Sequence, residues 1–183
     1  MKFLETILKG AFIIVPDCIE DERGLFARMF CRHEFEDRGL SLDLVQCNIS
    51  FNHNKGTLRG MHYQITPYAE VKLVRCTAGA IFDVIIDLRP DSPTFKQWFA
   101  QELTHENRLQ IYVPEGFAHG FQTLADNSEV FYQHSAFYSP DHQRGLRFND
   151  PAFKINWPLD VSSISERDRS HAPVDVNFRG INA

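Results

Sequence analysis

Short stretches of apolar or alternating side chains, each ended within a few residues by a turn, limit the possible folds of this chain more than any other feature. Few have the 3.6-residue spacing of an amphipathic helix, and several are rich in the β-branched and aromatic residues that favour strands. Prolines fall at their ends, where no strand hydrogen bond is lost. We predict strands at Ala11–Val15, Leu25–Cys31, Leu44–Phe51, Leu58–Gln64, Val71–Cys76, Ala80–Leu88, Gln97–Leu103, Leu109–Val113, Ala118–Leu124 and Glu129–His134.

So many short strands in one chain favour an all-β fold with few exposed sheet edges, which is a closed barrel or a jelly roll. One short helix is predicted at Arg32–Arg38, before Gly39, and Ala78-Gly79 predicts a tight hairpin turn. The 183 residues fit one domain. We expect a single domain over 1–183, with its core at about 10–160 and a tail over 161–183 of loops and short helical turns.

The composition excludes several classes of protein. Hydrophobic residues make up 43% and aromatic residues 13% of the chain, which excludes intrinsic disorder. The net charge of −5, without a basic block, argues against nucleic acid and anionic membranes as partners. The first apolar stretch contains Glu5 and Lys9 and does not read as a signal peptide. Since the four cysteines also form no C-x-x-C pair, we predict a cytoplasmic protein with reduced thiols.

Polar and charged residues gather at three positions in this apolar framework, and the largest group is the strand RGMHYQ over 59–64. Simple alternation predicts that Arg59 and Met61 point to one face of this strand, and His62 and Gln64 to the other. Lys72 lies on the next predicted strand. Taken singly, an arginine or lysine in a strand is usually a solvated side chain, so these residues indicate chemistry only in combination.

The other two groups are a turn over 114–117 that leads into His119, and the aromatic pair Tyr132 and Tyr138. A lone strand histidine or tyrosine is more often a structural residue with a satisfied polar atom than a catalytic one. Asp83 and Asp87 alternate with apolar neighbours, which predicts that both face solvent. We also expect the histidines without supporting neighbours at the surface: His33, His53, His105, His134, His142 and His171.

A metal centre of the kind found in many jelly-roll enzymes needs an H-x-H pair, a carboxylate and a further histidine. The matching segment reads His62-Tyr63-Gln64, without a second histidine at that spacing. The nearest acid, Glu70, lies beyond Pro67. The sequence therefore predicts that the protein binds no metal.

Taken together, the motifs resemble the nucleotide-sugar 3,5-epimerases typified by dTDP-4-dehydrorhamnose 3,5-epimerase. The similarity extends from about Gly10 to Asp168. It implies a double-stranded β-helix jelly roll of the cupin type with a few short peripheral helices, acting as a homodimer without metal or organic cofactor. The segments that carry it are DERGLF (21–26), VQCNIS (45–50), KGTLRGMHYQ (55–64), KLVRCTAGAIFDVIIDLRPDSPTF (72–95), ENRLQIYVPEGFAHGF (106–121), FYSPDHQRG (137–145), INWPL (155–159) and SERD (165–168).

The resemblance also implies a mechanism on a nucleotide-diphosphate 4-keto-6-deoxyhexose. The ketone at C4 acidifies the hydrogens at C3 and C5, so a neutral histidine can remove one if the developing enolate oxygen is stabilised. By motif match His62 is the base, Asp168 the carboxylate that orients it, and Lys72 the cation beside the oxyanion. Tyr132 matches the acid that returns a proton to the opposite face. By the same match, six residues bind substrate: Arg23, Arg59 and His119 at the diphosphate and sugar, Gln46 and Asn48 as polar contacts, and Tyr138 stacked on the base.

Three residues depart from the family pattern. Arg28 and Gln143 stand where glutamate is usual, and Gln133 stands where lysine is common. The nucleotide base is therefore open between thymidine, cytidine and guanosine, as is the choice between C3, C5 or both. A sugar-nucleotide 3,4-ketoisomerase and a non-catalytic nucleotide-sugar binder are the other two classes that the residues allow.

Overall fold

A computed structural model of the chain describes residues 1–181. Its two helices are α1 (Arg32–Glu36) and α2 (Glu166–Arg169), both short. The strands of these residues are β1 (Lys2–Glu5), β2 (Phe12–Val15), β3 (Cys18–Asp21), β4 (Gly24–Ala27), β5 (Gln46–Asn52), β6 (Leu58–Gln64), β7 (Lys72–Ala78), β8 (Ala80–Asp87), β9 (Trp98–Thr104), β10 (Gln110–Val113), β11 (Phe117–Thr123), β12 (Ser128–His134) and β13 (Gln143–Gly145).

These strands form two main antiparallel sheets and a separate hairpin. The strand order is β1-β2-β10-β7-β12-β5 in the six-stranded sheet and β13-β6-β11-β8-β9 in the five-stranded sheet. Among the described strands, β3 and β4 pair with each other alone. Most neighbours within a sheet are distant along the chain, which is the pattern of a jelly roll. The prediction of an all-β jelly roll with short peripheral helices is confirmed.

The main core lies between the two sheets, because alternation turns every second side chain inward. Ile13 and Val74 of the six-stranded sheet share this core with Ile85 and Phe121 of the five-stranded sheet. The outer faces are covered as well. Phe35 of α1 packs in a second cluster on the six-stranded sheet, and the C-terminal tail covers a third on the five-stranded sheet. Both faces of the two main sheets are therefore packed with apolar side chains.

Each predicted strand has a counterpart whose ends differ by a few residues, and α1 lies inside the predicted helix at Arg32–Arg38. The tail consists of loops and α2, as the sequence predicts. β1, β3 and β13 are not predicted from the sequence. Their segments KFLE, CIED and QRG are short and rich in charge, so they carry no apolar alternation.

The hairpin predicted at Ala78-Gly79 is wrong. β7 belongs to the six-stranded sheet and β8 to the five-stranded sheet, so the chain changes sheets here and does not fold back on itself. Gly79 has φ of +70°, and a Cβ at this position would clash with the hydroxyl of Ser128. Glycine is therefore required by the corner between the sheets and not by a hairpin turn.

The four cysteines all lie in the described part of the chain and are free thiols. Cys76 is buried, and burial raises the pKa of its thiol to about 11. Cys18 and Cys47 are exposed. Within residues 1–181 no helix has the length and apolar character needed to span a membrane.

Candidate active site

A cavity of about 610 Å³ brings together nearly all of the residues that the sequence indicates. Its walls come from β5, β7 and β12 of one sheet, from β6 and β11 of the other, and from the tail around α2. Arg23 is the one predicted site residue that does not line it. The predicted residues that do are Gln46, Asn48, Arg59, His62, Lys72, His119, Tyr132, Tyr138 and Asp168.

Strand β6 contributes Arg59 and His62 to the same cavity, against simple alternation. His62 lies opposite His119 on β11. Arg59 lies opposite Phe121, so three steps along β6 match two steps along β11. The extra residue forms a bulge, which reverses the alternation between the two side chains. The predicted placement of Arg59 and His62 on opposite faces is therefore wrong, and Met61 is buried in the core.

The close contact between β6 and β11 depends on two glycines. A Cβ on Gly60 would lie 2.6 Å from the Cα of Gly120, and Gly60 has φ of +121°. Only glycine fits, because a Cβ would clash with the neighbouring strand and because a positive φ strains any residue with a side chain. The Gly60 N–H donates to Oδ2 of Asp168 over 3.2 Å, so this backbone also helps to hold the carboxylate of α2.

His62 and Asp168 form a hydrogen-bonded pair, with His62 Nε2 2.7 Å from Asp168 Oδ1. Asp168 is buried, whereas the His62 side chain is 28% exposed. Ser165 caps α2 and accepts from the Asp168 N–H. Burial alone would raise the pKa of Asp168, but the hydrogen bonds from His62 and Gly60 lower it below its ordinary value. A charged carboxylate on Nε2 leaves Nδ1 of His62 as the nitrogen available to a ligand.

His119 is paired with a second buried carboxylate, that of Asp83. Its Nε2 lies 2.8 Å from Asp83 Oδ1, and both side chains are buried. Burial raises the pKa of Asp83, although the interaction with His119 and the positive charge of Lys72 oppose the shift. Within residues 1–181, Asp83 Oδ2 has no hydrogen-bond partner. The prediction that Asp83 and Asp87 face solvent is wrong, because both are fully buried.

Tyr132 contacts two histidine rings in the cavity wall. Its ring lies edge-on to His119, with centroids 6.0 Å apart, and is stacked on His134 at 5.9 Å. Burial and the charge of Asp83 raise the pKa of Tyr132 well above its ordinary value, although the charge of Arg59 and a hydrogen bond with Ser50 oppose the shift. Tyr132 therefore remains protonated at neutral pH and can act as a proton donor.

Lys72 is buried and paired with Glu70, at 3.1 Å between Nζ and Oε1. The other carboxylate oxygen lies 2.7 Å from Nδ1 of His134. His134 was expected at the surface, which is wrong, since its side chain is only 12% exposed. Sequence reasoning missed both residues of this cluster as parts of the site. Alternation carried a usable signal, because Glu70 and His134 each lie two residues from a site residue, Lys72 or Tyr132.

The remaining predicted residues line the entrance. Arg59 Nε donates to Asn52 Oδ1 over 2.7 Å, which fixes the direction of the guanidinium. Gln46 Oε1 accepts from the Tyr138 N–H over 3.1 Å. Tyr138 is 50% exposed, and its hydroxyl donates to Gln143 Oε1 over 2.9 Å. An exposed aromatic ring held at both ends is suited to stacking on a planar ligand.

Arg23 lies on the turn between β3 and β4, away from the cavity of its own chain. Its side chain is 82% exposed and pairs with Asp21. Arg28, which departs from the family pattern, pairs with Glu34 at 3.0 Å and also lies outside the cavity. One copy of the chain therefore does not bring these two arginines to the other site residues.

Among residues 1–181, His62, Asp168 and His171 have ligand atoms within 4.8 Å of one another, a grouping that could hold a cation. His171 was predicted at the surface, but it is half-buried, and burial lowers the pKa of its imidazole. His62 and Asp168 already bond to each other through two of these atoms. The absence of a metal remains a prediction.

A jelly roll whose cavity joins a histidine–aspartate pair to a buried lysine and a half-buried tyrosine has the architecture of a cupin-like nucleotide-sugar epimerase. The family model described as dTDP-4-dehydrorhamnose 3,5-epimerase matches residues 5–175. The chain belongs to the dTDP-4-dehydrorhamnose 3,5-epimerase family, as its motifs predict.

Individual relatives align with this chain along nearly their whole length. The dTDP-4-dehydrorhamnose 3,5-epimerase of Sinorhizobium fredii is 45% identical, over 93% of this chain and 88% of the relative. A crystal structure of the Bacillus anthracis enzyme with TDP and PPi bound has a TM-score of 0.91 at 40% identity, covering 94% of this chain and 99% of that one. A Legionella pneumophila 3,5-epimerase in complex with dTDP-4-keto-L-rhamnose has a TM-score of 0.90 at 34% identity, with 100% and 98% covered.

Proposed function

We propose that this protein inverts C3 and C5 of a dTDP-linked 4-keto-6-deoxyhexose, converting dTDP-4-dehydro-6-deoxyglucose to dTDP-4-dehydrorhamnose. The observation that carries the proposal is the His62–Asp168 pair in one cavity with Lys72 and Tyr132, in a member of this family. Relatives that bind TDP and dTDP-4-keto-L-rhamnose support a thymidine nucleotide as the carrier.

In this proposal His62 is the general base. Asp168 accepts from Nε2–H, so the lone pair is on Nδ1, and the same carboxylate stabilises the imidazolium that forms when Nδ1 takes a proton from C3 or C5. The lowered pKa of Asp168 keeps it charged for this purpose at neutral pH. The partial exposure of the His62 side chain allows it to reach the sugar.

Lys72 stabilises the enolate. Proton removal moves negative charge to the C4 oxygen, and a nearby ammonium lowers the energy of that state. Lys72 is 7% exposed, so its charge is less screened than that of a surface lysine. A cation fixed in the cavity before substrate binds is therefore suited to the C4 oxygen.

Tyr132 delivers a proton to the face opposite the base, which completes the inversion. A phenol whose pKa is raised is a poor acid toward water, but it can protonate a basic enolate carbon. After each transfer, the Tyr132 phenolate takes a proton from solvent and the His62 imidazolium releases the one it abstracted, so both groups are reset before the second carbon is inverted. The raised pKa therefore keeps Tyr132 protonated at neutral pH until the enolate forms.

The diphosphate and the base are bound at the rim. Arg59 retains terminal guanidinium nitrogens for phosphate oxygens while its Nε is held by Asn52, and His119 lines the same wall. Gln46 and Asn48 offer amide groups to the substrate, and the exposed face of Tyr138 stacks on the base. The site uses no cofactor in this scheme.

The protein acts as a homodimer. Ile19 and Phe26 on the β3–β4 hairpin are 67% and 71% exposed, and the hairpin pairs with no other described strand. An apolar hairpin of this kind is stabilised when a second copy covers it. The same contact would carry Arg23, which lies on the hairpin turn, toward the cavity of the partner, where its charge suits a diphosphate.

The test is product analysis by NMR after incubation with dTDP-, CDP- and GDP-linked 4-keto-6-deoxyglucose. The proposal predicts an inverted sugar with its carbonyl still at C4, and the highest kcat/KM for the dTDP compound. A carbonyl at C3 would identify a ketoisomerase instead. An unchanged sugar that binds tightly would identify a non-catalytic binder.

A further inference from the structure

One buried carboxylate, Glu70, joins two site residues that lie on different strands. Glu70 precedes β7 by two residues, and its side chain is 9% exposed. Oε1 lies 3.1 Å from the Lys72 ammonium, and Oε2 lies 2.7 Å from Nδ1 of His134. His134 is opposite Lys72 in the pairing of β12 with β7, so the carboxylate bridges two side chains that already face each other.

The charge state of Glu70 fixes the direction of these bonds. Burial would raise its pKa, but the charge of Lys72 and the hydrogen bond from His134 lower the pKa to about 2. A carboxylate can only accept, so both Lys72 and His134 Nδ1–H donate to it. Nε2 of His134 then accepts from the Asn48 amide over 3.3 Å. His134 is thereby held in one tautomer and one orientation.

The cluster reaches the proposed proton donor and the nucleotide wall. The ring of His134 stacks on Tyr132 with an interplanar angle of 21°. On the other side, Asn48 Oδ1 accepts from Gln46 Nε2 over 3.4 Å, and Gln46 holds the backbone of Tyr138. One continuous set of polar contacts therefore runs from Lys72 to the residue proposed to stack on the base.

We propose that Glu70 is a positioning residue that fixes the ammonium of Lys72 directly and the ring of Tyr132 through His134. The inference rests on the proposed function, because it assigns Glu70 to the two residues that stabilise and protonate the enolate. Glu70 itself does not touch the reacting atoms in this scheme. The residue types agree with the role, since a flexible lysine chain needs a fixed partner to be held in one position.

The test is Glu70→Gln, which keeps the size of the side chain and removes its charge. The matched control is Glu129→Gln, a half-buried β12 glutamate that bonds to Thr77 outside the cavity. We expect kcat of Glu70→Gln to fall by about 100-fold, the loss caused by a displacement of about 1 Å in a reacting group. The Kd of dTDP should change less than about 2-fold, and Glu129→Gln should retain wild-type kcat. Wild-type kcat in Glu70→Gln, or an equal loss of dTDP binding and kcat, would overturn the proposal.

A second set of variants separates the effect of Glu70 on Tyr132 from its effect on Lys72, and the first of them does not contain the Glu70→Gln change. His134→Asn keeps a donor for Glu70 but removes the ring that stacks on Tyr132, so inversion should slow while solvent exchange at C3 and C5 stays near the wild-type rate. If inversion and solvent exchange slow equally, Glu70 does not act on Tyr132 through His134. Glu70→Gln should lower kcat less in a Lys72→Met background than it does in wild type. If the two changes instead lower kcat by the product of their separate effects, Glu70 does not act through Lys72. Wild-type protein that leaves every 4-keto sugar unchanged overturns the proposed function itself, an outcome that the variants cannot mimic.

Discussion

His62 and His119 lie opposite each other on β6 and β11, and each is hydrogen-bonded to a buried carboxylate. The two pairs differ in exposure, since the His62 side chain is 28% exposed and that of His119 is 5% exposed. A general base must reach a bound substrate, whereas a buried histidine can contact it with one edge only. This difference assigns proton abstraction to His62 and binding to His119, within the proposed function.

His62→Ala should remove the base without changing the diphosphate site. We expect kcat to fall by about 10²–10⁴-fold, the usual contribution of a general base. Binding of dTDP, measured by calorimetry, should be unchanged. His105→Ala is the control, because His105 is exposed and lies outside the cavity. Retention of more than about a tenth of the activity by His62→Ala would contradict the assignment.

Tyr132→Phe should separate the two halves of the reaction. The variant keeps the ring packing against His119 and His134 but cannot donate a proton. Deuterium exchange at the sugar should therefore continue while the yield of inverted product falls, both followed by NMR in heavy water. If exchange and inversion fall in parallel, Tyr132 is not the proton donor.

More of the fold than of the site could be predicted from the sequence. Apolar stretches rich in β-branched side chains, such as IFDVIIDL over 81–88, identify strands from their own residues. The residues of a strand do not identify the other strands with which it pairs. Gly79 is an example, since a glycine between apolar stretches fits a hairpin, and only the pairing of β7 and β8 with other strands shows that it is a corner between sheets.

Within the site, the motifs predicted the side chains but not how they are held. The bulge that brings Arg59 and His62 to one face depends on the fit of Gly60 against Gly120 across two strands, which no local pattern records. The burial of Asp83 depends on the register of β8 with β11, and no local sequence pattern predicts it either. Short-range alternation did contain the signal for His134, two residues after Tyr132.

The depressed pKa of Glu70 predicts a defined dependence of stability on pH. Its folded value of about 2 lies below the ordinary value of 4.5, so its stabilising contribution is complete above about pH 4.5 and is lost as the pH falls toward 2. The free energy of unfolding of wild type should therefore decrease more over this interval than that of Glu70→Gln. Denaturant unfolding at a series of pH values measures the difference. Parallel curves would show that Glu70 is not held as a charged group.

Phe26→Asp tests the homodimer. Adding a charge to the exposed face of the β3–β4 hairpin should weaken its contact with a second copy, and light scattering coupled to gel filtration should detect the monomer. If Arg23 acts in the partner's cavity, dTDP binding should weaken together with the dimer. A wild-type protein that is monomeric at micromolar concentration would contradict the proposed assembly.

The most direct test of the proposed epimerisation is solvent exchange in heavy water, with wild-type protein and dTDP-4-keto-6-deoxyglucose, followed by NMR of the recovered sugar. Proton abstraction by His62 beside a C4 ketone predicts deuterium at both C3 and C5, together with inversion at both carbons. A sugar recovered with neither deuterium nor inversion, from protein that binds dTDP, would contradict the account.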